Sequence, residues 1–319
     1  MRLTHRLALP LVLAVAVLPS RGAAGAFDRV GEGLKSEYLF NFATSAGELA
    51  IPFNGLTYDP VGNELYVLSS GVIHIFNPSG MEVFSFGDEA DLVGMTSLVV
   101  LESGDLITLV NRMNVWSMSR ASFRGQVKGP FPITGVPDDF PMSEFHPVRL
   151  RYAKEKIYIV DMAGMRVLVV DDAGKYVASY DLAEILDEED KRDDLGLRGF
   201  DVDREGNLLF TISPAFKAYV LSPDGNIRDF GRPGSAPGRF GVVAGIASDE
   251  QGRLYVSDIL RCVVLVFDRN LQFLGEFGGR GFGEGDLIGP SEVAVANGLV
   301  YVTQGAHRGV SVYKVNPGS

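Results

Sequence analysis

Residues 245–278, "GIASDEQGRLYVSDILRCVVLVFDRNLQFLGEFG", constrain the fold more than any other stretch. They read as four short strands. A small-residue strand ends at Ser248, and "DEQG" turns the chain, with Gly252 free to take a positive φ. The β-branched and aromatic "RLYVSD" follows, then "CVVLVFD", apolar enough to be buried on both faces. "DRNLQ" turns the chain again into the more polar "FLGEFG". Four such strands make one antiparallel sheet. That sheet cannot cover its own two apolar faces, so it requires neighbours of the same kind.

The neighbours are present. Anchored on the middle of each "LYV"-like strand, the copies fall at Tyr66, Ile107, Tyr158, Leu209, Tyr255 and Tyr301, spaced by 41, 51, 51, 46 and 46 residues. A four-strand unit at this period predicts an all-β, six-bladed β-propeller occupying residues 27–319 as one domain. The last unit, "EVAVA", "LVYVTQ" and "GVSVYKV", has only three strands, whereas "EYLFNF" at 37–42 has no partner in its own unit. The N-terminal strand is therefore expected to complete the last blade, which closes the ring and removes both edges.

Residues 1–26 carry Arg2 and Arg6, then the apolar "LALPLVLAVAVLP", then Ala24-x-Ala26. These are the three regions of a secretory signal, with cleavage expected after Ala26 and an uncleaved N-terminal anchor as the alternative. No other stretch is apolar for long enough to span a bilayer. An exported protein is expected, periplasmic or extracellular. The formal charge is −11; without Arg2, Arg6 and Arg21 it becomes −14. So acidic a chain disfavours nucleic acid and anionic membrane as partners. Cys262 is the single cysteine, so no internal disulfide forms; on a predicted buried strand it reads as a small apolar residue rather than a catalytic thiol.

Three connections stand out. "GPFPITGVPDDFP" reads as a long loop across one face of the disc. "LAEILDEEDKRDDLG" has helical spacing at Leu182, Ile185 and Leu186, and gathers Glu184, Asp187, Glu188, Glu189, Asp190, Asp193 and Asp194. A short solvated helix is expected there, since the Asp-x-Asp-x-Asp-Gly pattern of a calcium loop is absent. "RPGSAPGRFG" and "GRGFGEGDLIGP" read as matched crossovers between blades; neither opens a helix nor matches a phosphate-binding loop.

These crossovers carry a resemblance. Phe230-Gly231, Gly234, Gly238 and Phe240, the "GIASDEQGRLYVSD" run and the "VLVFD" strand resemble the NHL-repeat family of six-bladed propellers, and Phe277-Gly278 with 281–285 repeats the crossover. The likeness is strongest over 230–295; units one, two and four place Ser69, Val110 and Ile212-Ser213 where the motif has Asp. The motif specifies a blade and not a reaction.

Aligned units place Asn54, Thr96, His146, Arg198, Ala244 and Ser291 at the starts of the innermost strands. Three residues on come Thr57, Val99, Arg149, Asp201, Ala247 and Ala294. Arg149 and Asp201 thus fall on adjacent blades at one depth, either as a structural ion pair or as part of a polar channel mouth. In the second case His146, Arg149 and Arg198 would donate to an anionic or carbonyl ligand. The loops joining second and third strands open on that same face and carry Arg112, Asp161, Arg166, Lys217, Asp258, Arg261 and His307. Asp161 and Asp258 suit turn capping.

The resemblance also implies two enzyme types: amidating lyases with a histidine-bound zinc, and lactonase-like relatives with calcium held by Glu, Asn and Asp. After residue 26 the histidines are His74, His146 and His307, and converging zinc ligands are not evident. Asn54, Asp201 and Glu292 are the plausible calcium donors. No Ser-His-Asp arrangement can be named from spacing. The expectation is a monomeric, non-catalytic binding or scaffold module without a cofactor, contacting a protein, peptide or glycan through the loop face and channel mouth. The alternative is a metal-dependent lyase or lactonase with a divalent cation in the channel. A docking role in an exported redox system is a third reading; no Cys-x-x-Cys-His is present for covalent haem.

Overall fold

A computed structural model describes residues 34–42, 53–87, 92–113, 115–305 and 309–317. Residues 1–26, for which a secretory signal is expected, His307 and the side chain of Asn54 lie outside the described residues.

The described residues form six four-stranded antiparallel sheets. Blade one holds β2 (Phe53–Asp59) to β5 (Glu82–Phe86), and blade two β6 (Met95–Val100) to β9 (Val127–Pro130). Blade three runs from β10 (Arg149–Ala153) through β11 (Lys156–Asp161) and β12 (Arg166–Asp171) to β13 (Tyr176–Asp181). Blade four holds β14 (Gly199–Val202) to β17 (Ile227–Phe230), and blade five β18 (Val243–Ser248) to β21 (Phe273–Gly278). Blade six combines β22 (Val293–Ala296), β23 (Leu299–Thr303) and β24 (Val310–Pro317) with β1 (Leu34–Phe42). The expected closure is present: Tyr38 lies opposite Tyr313 and Phe42 opposite Val310, with a bulge at Tyr38/Phe40.

Why the units cannot stand alone is visible in the cores. Six apolar clusters occur, each drawn from two adjacent blades; one joins Leu56, Val67 and Phe76 of blade one to Tyr301, Val312 and Phe42 of blade six. Hydroxyls on second strands stitch the inner strands together. Thr211 Oγ1 accepts from Gly199 N–H at 2.8 Å and donates to Ala244 C=O at 2.5 Å. Ser257 Oγ repeats this between Gly245 N–H (2.9 Å) and Ser291 C=O (2.7 Å). Each bridge satisfies buried backbone groups at the seam.

The crossovers match as expected. Pro233 bridges Phe240, and Arg280 bridges Leu287, both in parallel. Gly231 sits at φ +104°, and a Cβ there would lie 2.2 Å from the Phe240 ring, so glycine is the residue that fits.

Three connections differ in detail from their sequence reading. The Pro-rich stretch after blade two does not cross a face: Phe131, Ile133, Val136, Phe140 and Phe145 pack into the seam between blades two and three, and Trp116 Nε1–H donates to Phe145 C=O at 2.9 Å. Cys262 lies not on a strand but in the turn before β20 (Val263–Phe267), at φ +57°; it is buried, and its thiol points to Ile259 C=O at 3.4 Å. The acidic insert forms two one-turn helices, α1 (Leu182–Ile185) and α2 (Arg192–Leu195), around a 3-10 turn. Asp181 caps α1 by accepting from Ala183 N–H (3.2 Å) and Glu184 N–H (3.1 Å), and Arg192 ties the insert back to Asp181 at 2.7 Å.

Candidate functional site

Strand register defines the layers of the channel. The inner-strand residues opposite the six anchors are Thr57, Val99, Arg151, Asp201, Ala247 and Ala294. Arg151, not Arg149, therefore shares a layer with Asp201. The sequence alignment slipped by two residues in unit three, and the cause is local. β10 and β11 join through the two-residue turn Lys154-Glu155, both at positive φ, whereas blades one, four and five use longer turns closed by a glycine or asparagine. A tight turn of this kind is ordinarily read from Asn-Gly, which Lys-Glu does not resemble. The same slip put His146 where Val148 belongs.

One layer toward the strand starts lie Gly55, Ser97, Arg149, Gly199, Gly245 and Glu292, two residues before each member of the first ring. The small residues let the inner strands approach: a Cβ on Gly199 would meet Ala244 C=O at 2.3 Å, and one on Gly245 would meet Ser291 C=O at 2.6 Å. They also leave the bore to two long side chains from blades half a turn apart. Arg149 donates to Glu292 through both Nη atoms, Nη1 to Oε2 at 2.7 Å. Arg151 reaches the same Oε2 through Nη2 at 3.4 Å, Asp201 Oδ1 through Nε at 3.4 Å and Leu150 C=O through Nη1 at 3.1 Å. The expected Arg149–Asp201 pair is thus replaced by a tetrad of two arginines and two carboxylates.

The two carboxylates respond differently. Burial would raise both. At Glu292 the Arg149 guanidinium, helped by Arg151, outweighs burial and holds the carboxyl below the usual range. At Asp201 burial dominates: Arg151 and the Val202 N–H compensate it only in part, and its pKa is pushed up to about 6.

Above the tetrad the channel widens into a cavity of about 780 Å³. Arg151 and Asp201 line its floor; Tyr58, Tyr152, Asp203, Asp249, Arg253 and Asn297 are among its walls. Asp203, Asp249, Arg253 and Asn297 belong to the turns between first and second strands, and Tyr58 and Tyr152 to the ends of the inner strands that enter such turns. The cavity therefore opens at the end opposite the strand starts, where sequence reasoning had placed the mouth. The signal that was available is the pair of turns at 203–207 and 249–253, each opening on an Asp and carrying a Glu, which repeat on adjacent blades.

At the strand-start end, His146 and Arg198 are exposed, and Thr96 and Ser291 bond to second-strand partners, Leu109 C=O (3.4 Å) and Thr303 Oγ1 (2.8 Å). The loop-face residues are mostly engaged in structure. Asp161 accepts from His146 N–H (3.0 Å) and Gly164 N–H (2.8 Å); Asp258 accepts from Gly241 (2.6 Å), Val242 (3.1 Å) and Arg261 (2.9 Å) N–H groups. Arg261 pairs with buried Glu276 at 2.6 Å, Arg166 with Asp181 at 3.2 Å, Lys217 with Asp229, and Arg112 Nε donates to Val93 C=O at 2.7 Å. None of them lines the cavity.

The residues present do not suit a channel metal. Asp201 and Glu292 face guanidinium groups where a cation would sit, His74 pairs with Glu82 at 2.7 Å within blade one, and His146 is exposed at the far mouth. Among the described residues no three His, Cys, Asp or Glu side chains gather for a metal ion.

No protein-family model and no curated protein matches the chain. Solved structures do. Virginiamycin B lyase from Staphylococcus aureus is 12% identical at a TM-score of 0.58, over 89% of this chain and 99% of its own. A gluconolactonase from Xanthomonas campestris is 14% identical at 0.56, over 92% and 98%. A Bacteroides thetaiotaomicron protein of unknown function is 11% identical at 0.60, over 89% and 76%. At such identities the likeness shows the six-bladed propeller fold alone.

Proposed function

We propose that this chain is an exported, non-catalytic binding protein of the NHL-like propeller type. Its ligand site is the cavity at the turn-rich end of the channel, and the partner is a small polar molecule or the end of a peptide or glycan. One observation carries the reading: two arginines engage the channel carboxylates, leaving a polar, partly aromatic chamber above a plugged bore. Export is supported by the charged, apolar and small-residue regions of residues 1–26.

The test is a ligand-observed NMR screen of amines, carboxylates, sugars and short peptides against the full propeller. Hits are expected to lose their signal with Arg151→Met or Asp201→Asn and keep it with Arg198→Ala at the opposite mouth. Hits indifferent to the channel variants, or consumed during the experiment, overturn the reading. The latter outcome would favour lyase or lactonase chemistry, for which Asp201, with its raised pKa in a cavity, is the group to examine.

A further inference from the structure

The charges around the cavity are not evenly matched. Each of its three arginines already has a carboxylate: Arg151 bridges Glu292 and Asp201, Arg204 Nη2 meets Glu250 Oε1 at 2.5 Å, and Arg253 Nε meets Asp249 Oδ2 at 2.5 Å. Asp249 also accepts from Tyr255 O–H at 3.0 Å. The carboxylates of blade four are less well served. Asp201 has its cationic contact at 3.4 Å, and its side chain is 25% exposed. Asp203 lies two residues on, along the same inner strand's exit, and accepts from Asn207 N–H (2.8 Å) and Nδ2 (2.6 Å); among the described residues no ion pair reaches it. The surplus on this wall is negative, and it sits where low dielectric strengthens any new contact.

We propose that the cavity takes a cationic ligand, a primary amine or guanidinium group, set against Asp201 and Asp203 on the blade-four wall, with Tyr58 of blade one and Tyr152 of blade three also lining the chamber. This rests on the binding reading above and specifies its ligand. A cation here completes the partners of two carboxylates without displacing an existing bond. An anion would have to take an arginine from a carboxylate and leave that carboxylate unpaired, which is the costly direction. The tyrosine rings add an electron-rich surface suited to an ammonium group.

Calorimetry on the full propeller with benzylamine, benzyl alcohol and benzoate at pH 7.5 separates the outcomes, since the three probes share a ring and differ in charge. Benzylamine is expected to bind about ten- to a hundredfold more tightly than the other two, as a charge-assisted bond predicts. Asp201→Asn should remove most of that preference. Asp201 faces Arg151, Asp203 and Glu292, with Arg149 beyond, and it titrates near 6, so amine affinity of the unmodified protein should fall between pH 7.5 and pH 5. That measurement decides the matter even where the variant folds poorly. Preferential benzoate binding, or amine binding that ignores both pH and Asp201→Asn, overturns the cationic assignment and leaves the binding site standing. Silence from these probes and from the wider NMR set overturns both.

Discussion

The two ends of the channel use acidic residues in opposite ways. At the strand-start end, Asp258 is fully buried and accepts three backbone N–H groups, and Asp161 accepts two. These carboxylates fix loops and have little capacity left. In the bore beneath the turn-rich end, Glu292 and Asp201 meet guanidinium groups instead, unequally: Glu292 receives both Nη atoms of Arg149, while Asp201 receives one Nε at 3.4 Å. A backbone-satisfied carboxylate is a fastening. A carboxylate short of partners beside a cavity is where a ligand gains most. The position of an Asp at a strand end therefore says little until its donors are counted.

The largest expected effect tests whether the tetrad is a buried ionic unit. Arg149→Met keeps much of the side-chain volume and leaves Glu292 with the distant Arg151 contact. The loss expected is about 3–5 kcal/mol, the cost of stranding one partner of a buried pair, read from the guanidinium chloride midpoint. A loss under about 1 kcal/mol would mean that water reaches the pair and that the bore is not plugged. At the other end, Asp258→Ala orphans the Gly241, Val242 and Arg261 N–H groups. Each buried orphan costs about 1–3 kcal/mol, but the loop can open to water, so the total should stay below that of Arg149→Met. The reverse order would make the fastening end the more cooperative one.

A pH series sharpens the contrast between Glu292 and Asp201. The folded protein takes up the Asp201 proton near pH 6, whereas the unfolded chain does so near pH 4. Between those values the folded state holds more protons, so the Asp201 contribution makes the protein more stable as pH falls from 7 to 5. Glu292, held low, contributes stability that is lost only at lower pH. Asp201→Asn should flatten the limb between pH 5 and 7 relative to the unmodified protein. Parallel limbs in the two proteins would show that Asp201 titrates normally and is well solvated.

Much of this architecture was legible in the sequence because the period repeats. Six anchors gave six blades, and the unpaired "EYLFNF" gave the closure seen between Tyr38 and Tyr313. Asp161 and Asp258 were readable as caps because the motif fixes their place beside a turn. The tetrad was only half legible. Arg149, Asp201 and Glu292 were singled out, but Arg151 was missed, because turn length and not strand pattern sets the layer a side chain occupies. Lys154-Glu155 shortens one turn without any local residue preference that announces it. The end at which the cavity opens was not legible either, since polar residues occur at both ends of most inner strands. What separates them is how many donors each acid finds, and that depends on contacts between blades.

The smallest expected effect is the sharpest control on the comparison. Arg198 is exposed at the strand-start end, one residue before β14, with Gly199 and the Asp201 layer next along the same strand. Arg198→Ala removes a positive charge from the mouth without touching the tetrad. Stability should change by no more than about 0.5 kcal/mol, as for an exposed substitution away from any buried network. Affinity for a cavity ligand should be unchanged, because the Arg149–Glu292 pair lies between the mouth and the chamber. A drop in affinity with Arg198→Ala, at unaltered stability, would show that the two ends communicate through an open bore. The plugged channel, and the division of labour between its ends, would then have to be abandoned together.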